Sequence, residues 1–162
     1  MRRTANLIIC PIGSTAIRVR VEASRAKRHE GDVPMTDATR TIVDFLGAWG
    51  PTKADLHAAF RRYLAPGAVW ENVGLVSTTG PEEAIALLER FEQSAGIHAF
   101  DVETLHIASH GDVVLTERVD RRIDTEGRIH EPGIRAMGAF EVRGGQIVAW
   151  RDYFDTAPFK GG

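Results

Sequence analysis

A chain of 162 residues is long enough for one sizeable hydrophobic core and too short for two ordinary domains. Its 43% hydrophobic and 26% charged residues are ordinary for a globular protein, and no apolar run approaches the roughly 18 residues of a membrane span. Of the 20 basic and 22 acidic residues, seven basic and three acidic ones fall in residues 1–34, which leaves the rest at −6: nucleic acid is excluded as a partner, because that body repels a polyanion and the basic stretch has no interleaved aromatics to stack bases on.

In chain order, residues 1–34 come first as a basic extension. The apolar stretch Leu7 to Cys10 is interrupted by Pro11 and Gly13, too short for the core of a signal peptide. Met35 then opens Met35-Thr36-Asp37 directly ahead of a helical pattern, so the expectation is a loosely attached, disordered extension, or a natural start at Met35, with a single domain over residues 35–162. Cys10 is the one cysteine, and the six histidines show no metal-ligand spacing. No disulfide, metal or other cofactor is expected, and a lone cysteine fits a reducing cytoplasm.

From Thr36, a good N-cap, Ile42, Val43, Phe45, Leu46 and Trp49 recur at helical spacing until Gly50-Pro51. Thr52 caps a second helix with Leu56, Ala59, Phe60, Tyr63 and Leu64 on one side, and Pro66-Gly67 predicts a turn. A short strand over residues 68–73 follows, then a Gly, Ser and Thr loop. Pro81, at a first helical position, leads a third helix with Ile85, Leu87, Leu88 and Phe91. After Gly96 the period changes to two: residues 98–109, 112–123, 129–142 and 146–154 read as consecutive antiparallel strands. The order predicts an α+β fold in which about three N-terminal helices pack on a strongly curved mixed sheet, leaving a cone-like pocket.

Alternate strand residues share a face, so Val114, Thr116, Arg118 and Asp120 line one side of a strand, and Val148, Trp150, Asp152 and Phe154 one side of the last. A carboxylate among large apolar side chains must find a partner or shift its pKa, and Arg118 is the obvious partner for Asp152. Periodicity alone leaves simpler readings open. Arg118 and Asp120 could form an exposed cross-strand ion pair, Asp152 could accept backbone bonds at a strand end, and Asn72, paired with Trp70 on the first strand, could be a satisfied polar residue at an edge.

Longer motifs decide between them. Thr116-Glu117-Arg118-Val119-Asp120, followed some thirty residues later by Trp150-Arg151-Asp152-Tyr153-Phe154-Asp155, resembles the paired motifs of the limonene-1,2-epoxide hydrolase family. Val102 to Ile107 and Gly138-Ala139-Phe140 extend the similarity, which covers about residues 36–159. The resemblance implies the nuclear-transport-factor-2-like (cystatin-like) fold, a homodimer, no cofactor, and a catalytic triad falling on Asp120, Arg118 and Asp152. It implies that Asn72 helps hold the attacking water. The family's usual tyrosine two residues earlier is here Trp70, which either binds the water differently, with one donor and no acceptor, or only narrows the pocket. Arg122 is a second departure, where the family's pocket is usually apolar; it either reaches to the rim or meets a polar group on the substrate. Candidate pocket walls are Trp49, Leu88, Phe91, Ile134, Ala136, Phe140 and Phe154, any of which could equally be core, and they suggest a hydrophobic cyclic or terpene-like epoxide. Two other functions fit the same architecture: an isomerase or cyclase of the ketosteroid isomerase or polyketide cyclase type, and a non-catalytic small-molecule-binding module.

Overall fold

The computed structural model describes residues 35–159; the expectations for residues 1–34 lie outside them. Three helices come first in the main: α1 (Asp37–Gly47), α2 (Lys53–Tyr63) and, after strands β1 (Leu64–Asn72) and β2 (Val76–Thr79), α3 (Gly80–Ala95). Strands β3 (Ala99–His110), β4 (Val113–Ile123), β5 (Ile129–Arg143) and β6 (Gln146–Phe154) complete the fold, followed by a 3-10 turn over Ala157–Phe159. Each helix starts where its chemistry dictates. The Thr36 hydroxyl accepts from the Thr39 amide, Thr52 and Asp55 form a reciprocal capping box, and α3 carries Pro81 in its first turn and ends at Gly96 in the left-handed region.

The six strands form one curved sheet in the order β2-β1-β6-β5-β4-β3. All neighbours are antiparallel except β1 and β6, which run parallel. This is the expected α+β class and mixed sheet. Among the described residues no helix is long and apolar enough to cross a membrane.

Three local expectations fail. Pro66-Gly67 makes no turn: β1 runs from Leu64 through both, and a register shift against β6 between Leu64 and Val69 absorbs them. The Gly, Ser and Thr loop contains β2, whose four residues pair with Val69 to Asn72; polar β-branched residues sit well on an edge strand, and composition alone hides it. Val43 is 44% exposed, because a residue adjacent to Ile42 is turned some 100° away from the buried face of α1.

The core lies between the helices and the concave face of the sheet. Ile42, Phe45 and Leu46 of α1, Leu56 and Phe60 of α2, and Ala84, Ile85, Leu87 and Leu88 of α3 pack over Val114, Phe140 and Trp150. Phe45, Phe60 and Trp49 surround Trp150 with ring centroids 5.5 to 5.8 Å away. Trp150 is itself stacked between Trp70 (4.7 Å) and Phe140 (5.3 Å). This aromatic platform fixes the inner end of the cone.

Candidate active site

Strand registry arranges the concave face as successive rows. One row runs Val114, Phe140, Trp150 and Trp70 across β4, β5, β6 and β1; the next runs Thr116, Gly138, Asp152 and Asn72; beyond these lie Arg118, Ala136 and Phe154, then Asp120 and Ile134. Large rings therefore occupy one row and the polar groups begin in the next. Arg118 stands on β4 and Asp152 on β6, with β5 between them. What lets the guanidinium cross is Gly138. A Cβ there would collide with Arg118 Nη1 and would lie 2.7 Å from both Thr116 Oγ1 and the Phe140 ring.

The crossing brings the three charges together. Arg118 is fully buried; its Nε donates to Asp120 Oδ1 at 3.1 Å and its Nη2 to Asp120 Oδ2 at 2.9 Å. The same Nη2 donates to Asp152 Oδ1 at 2.9 Å, and Nη1 reaches Thr116 Oγ1 at 3.4 Å. Asp152 Oδ1 also accepts from the Trp150 indole Nε1–H at 2.7 Å. Asp152 Oδ2 has no hydrogen-bond partner among the described residues. Asn72 lies beside Asp152 across the β1–β6 pair, and its Nδ2 is buried with no partner among the described residues.

Electrostatics in this spot differ from those at the surface. Burial works against the charge of Arg118, but the attraction of Asp152 and Asp120 outweighs it and holds the guanidinium above its ordinary pKa, so it stays charged. Burial also pushes the Asp152 carboxyl up, against the downward pull of Arg118 and with further upward repulsion from Asp120. Two carboxylates and one guanidinium carry a net charge of −1, whereas adding one proton makes the group neutral, which a low-dielectric site favours.

The triad opens into a cavity of about 340 Å³. Its walls include Trp49, Trp70, Asn72, Leu88, Phe91, Asp120, Ile134, Ala136, Asp152 and Phe154, all singled out from the sequence. Arg118 lies beneath the lining rather than in it. Two expected wall residues are not there. Phe140 is fully buried and stacks under Trp150 as core. Arg122 is exposed and outside the lining, because a register shift between Asp120 and Arg122 breaks the alternation and turns Ile123 inward instead.

Sequence reasoning missed Phe60, Leu75, Val76, Ser94, Ala95, Ile97 and Phe100, which also line the cavity. Phe60 was legible as a buried helical position but not as a wall. Leu75 and Val76 were lost with the unrecognised β2. Among the described residues, no group of three or more His, Cys, Asp or Glu is placed to hold a metal ion.

Comparisons with known proteins cover the domain that holds this site. A family model described as limonene-1,2-epoxide hydrolase catalytic domain matches residues 36–160. Epoxide hydrolase EphG of Mycobacterium tuberculosis is 38% identical over 99 residues, which are 60% of this chain and 62% of that protein, so the match spans less than two thirds of the relative. Among solved structures, an LEH-like epoxide hydrolase of M. tuberculosis matches with a TM-score of 0.59 at 32% identity, over 75% of this chain and 85% of that one. An NTF2-like protein of unknown function from Cytophaga hutchinsonii matches with a TM-score of 0.54 at 15% identity, over 80% and 99%, and shares the fold alone.

Proposed function

Since this chain belongs to the limonene-1,2-epoxide hydrolase family, we propose that it converts a hydrophobic cyclic or terpene-like epoxide to a vicinal diol in one step, without a covalent intermediate or a cofactor. The observation that carries the reading is the fully buried Arg118 with Nη2 2.9 Å from both Asp120 Oδ2 and Asp152 Oδ1, at the floor of an otherwise mainly apolar cavity.

Opening an epoxide breaks one C–O bond and forms another. The departing ring oxygen needs a proton, because an alkoxide leaves poorly, and the attacking water must lose one. Asp120, protonated, donates to the ring oxygen as its C–O bond breaks. Asp152, ionised, removes a proton from water as the new C–O bond forms on the opposite side. Arg118 stays charged throughout and holds both carboxyls. The product diol leaves with Asp120 ionised and Asp152 protonated, and proton exchange with solvent restores the starting state.

Several features support this division of roles. Trp150 Nε1–H is a donor only, so the Asp152 oxygen it binds together with Arg118 serves as an acceptor. Oδ2 is left for the water. The upward push of burial makes Asp152 a stronger base once ionised. Asn72, its neighbour in the row, holds the water, with Trp70 one row away. A ketosteroid isomerase or cyclase type of reaction gives no role to a guanidinium clamped between two acids.

The proposal extends to assembly and location. We assign the activity to one domain over residues 35–162, with residues 1–34 dispensable for it, and to a homodimer in the cytoplasm. The convex face of the sheet supports a second copy as its cover: Val113, Leu115, Met137 and Tyr153 are 40 to 50% exposed on adjacent strands.

A single-turnover reaction in heavy-oxygen water tests the central step. The label is expected in the diol and not in the protein. Label in Asp120 or Asp152 would mean a covalent ester and a different mechanism, and absence of diol from a panel of cyclic and terpene epoxides would remove the hydrolase reading altogether.

A further inference from the structure

The two oxygens of Asp152 meet different surroundings. Oδ1 accepts from Arg118 Nη2 at 2.9 Å and from Trp150 Nε1 at 2.7 Å, whereas Oδ2 has no hydrogen-bond partner among the described residues. Asp152 lines the cavity and Trp150 stands outside the lining. The indole therefore lies behind the carboxyl, and whatever it does to the reaction passes through Asp152.

Sequence and packing both fix that indole. Trp150 and Asp152 are two apart on β6, so they share its concave face. The Trp150 ring is 1% exposed and stacks on Trp70 at 13° and on Phe140 at 19°, with Phe45 edge-on at 84°. Rings on both faces and at an edge leave it no room to turn, so the core sets the direction of its N–H. Arg118 alone imposes less. Its Nη2 is shared with Asp120, and a carboxyl held by one donor still swings about a Cβ–Cγ torsion that has only broad minima. Two donors on one oxygen, from β4 and from β6, stop that swing and leave Oδ2 as the unspent oxygen of a residue that lines the cavity.

The bond also bears on charge, because an N–H donor stabilises an ionised carboxyl more than a protonated one. Burial pushes the Asp152 carboxyl up and Asp120 adds to that push, while Arg118 and the Trp150 N–H pull it down.

We propose that Trp150 is a positioning residue for the epoxide opening: its indole N–H holds Asp152 Oδ1 and thereby directs Oδ2 at the attacking water. This rests on the hydrolase reading and deepens it with a residue that touches neither water nor substrate. The proton taken from water goes to Oδ2, and Oδ1 keeps both donors. Without the N–H, the carboxyl turns on its single remaining donor, and base, water and epoxide carbon line up in a smaller share of encounters. Phe140, expected as a pocket wall, acts one step further back by holding the ring that holds the base.

The test removes the N–H and keeps the ring. Benzothienylalanine, incorporated site-specifically in place of Trp150, has sulfur where the indole has N–H in a fused ring of nearly the same shape. The stack survives, and so does the ring face 5.9 Å from the Arg118 guanidinium. The expected result is a fall in kcat of about 10- to 100-fold, the range for losing a hydrogen bond to a charged group, with KM little changed. The rising limb of kcat/KM is expected to move to higher pH, since ionised Asp152 has lost a donor. A purely structural Trp150 moves neither quantity in this variant, and unchanged kcat with an unmoved limb overturns the proposal. Trp150→Phe is expected to reproduce both changes and to add a loss of stability, because it also removes ring area.

Carbon-13 spectra of protein labelled at the aspartate carboxyls give a readout without turnover. The Asp152 signal, identified by its absence from Asp152→Asn, is expected to titrate at higher pH once the indole N–H is gone; a midpoint that stays in place overturns the proposal. The two readings fail separately. A wild type that makes no diol strikes the hydrolase assignment, whereas an active wild type whose Asp152 is indifferent to the N–H strikes this proposal alone.

Discussion

Two arginines three residues apart on β4 make similar bonds in different surroundings. Arg118 reaches Asp120 and Asp152 on the concave side, fully buried. Arg121 reaches Glu103 and Glu131 at 2.7 Å and Asp101 at 3.6 Å, with partners 38 to 67% exposed. By count of carboxylates the outer network is the richer. The inner one is where we place the proposed chemistry, because water screens the outer charges and not the inner ones. Ion-pair number says little; the dielectric around the pair decides what it can do.

The largest break in that comparison comes from Arg118→Leu. It leaves two buried acids without a counter-charge, and removing one partner of a buried pair costs about 3 to 5 kcal/mol. Denaturant melts at pH 7 are expected to show that loss together with no measurable diol formation. Part of the loss is recovered at low pH, where both acids are neutral. A stable, active Arg118→Leu would mean that the triad is not a functional unit.

Asp152→Asn comes next and separates chemistry from folding. The amide keeps the size and can still accept from Trp150 and Arg118, but it cannot take a proton. Turnover is expected to fall by about 10²- to 10⁴-fold with near-wild-type ligand affinity. The same variant gives the pH dependence its sign. Burial raises the folded-state pKa of Asp152 above the ordinary 3.8, so the folded state holds this proton more tightly than the unfolded chain does. The stability contributed by the protonated group is fully present below that ordinary value and is lost as pH rises through the raised one. Activity runs the other way, since the base must ionise. Across the window above pH 3.8, wild-type stability relative to Asp152→Asn is expected to decline while wild-type kcat/KM rises. Both trends moving together would remove Asp152 as the base.

Gly138→Ala makes a smaller and more local break. The added methyl falls on Arg118 Nη1, Thr116 Oγ1 and the Phe140 ring, so the guanidinium must shift off its line to Asp152. Overpacking of this kind costs about 1 to 3 kcal/mol. We expect a loss of kcat with KM little changed, which a structural role alone would not produce. This glycine also shows what could be read from the chain beforehand. Gly138-Ala139-Phe140 was visible as part of a motif, but its meaning, a gap over which an arginine crosses one strand to reach the next, needs the registry of β4, β5 and β6.

The same limit governs the rest of the reading. Helices with caps and clean periodicity, such as α3 from Pro81 to Gly96, and the four long strands were legible because local chemistry and burial agree there. The parallel pairing of β1 with β6 was not, and with it went the strand nature of Val76 to Thr79 and the continuity of β1 through Pro66. Long-range pairing overrode turn chemistry at those points. Asp120, Arg118 and Asp152 were legible as same-face residues and gained roles from the family resemblance, whereas their shared nitrogen and the wall residues Leu75 and Phe100 depend on the folded sheet. Arg122 was misplaced because alternation was carried across a bulge.

Arg121→Gln is the smallest expected effect and the control for the whole comparison. The side chain is 19% exposed and its hydrogen bonds to Glu103 and Glu131 raise its pKa further, so the outer network is well formed. Its partners nonetheless remain in contact with water, which takes over their solvation when the guanidinium is gone. Exposed pairs are worth under about 1 kcal/mol each, and less in salt. Arg121→Gln is therefore expected to lower the melting temperature by a few degrees at low ionic strength, by less in 0.5 M salt, at about that level of screening, and to leave kcat/KM unchanged. A loss of activity comparable to that of Arg118→Leu would show that the outer carboxylates are coupled to the cavity through β4, and the distinction between screened and unscreened networks would then fail for this sheet.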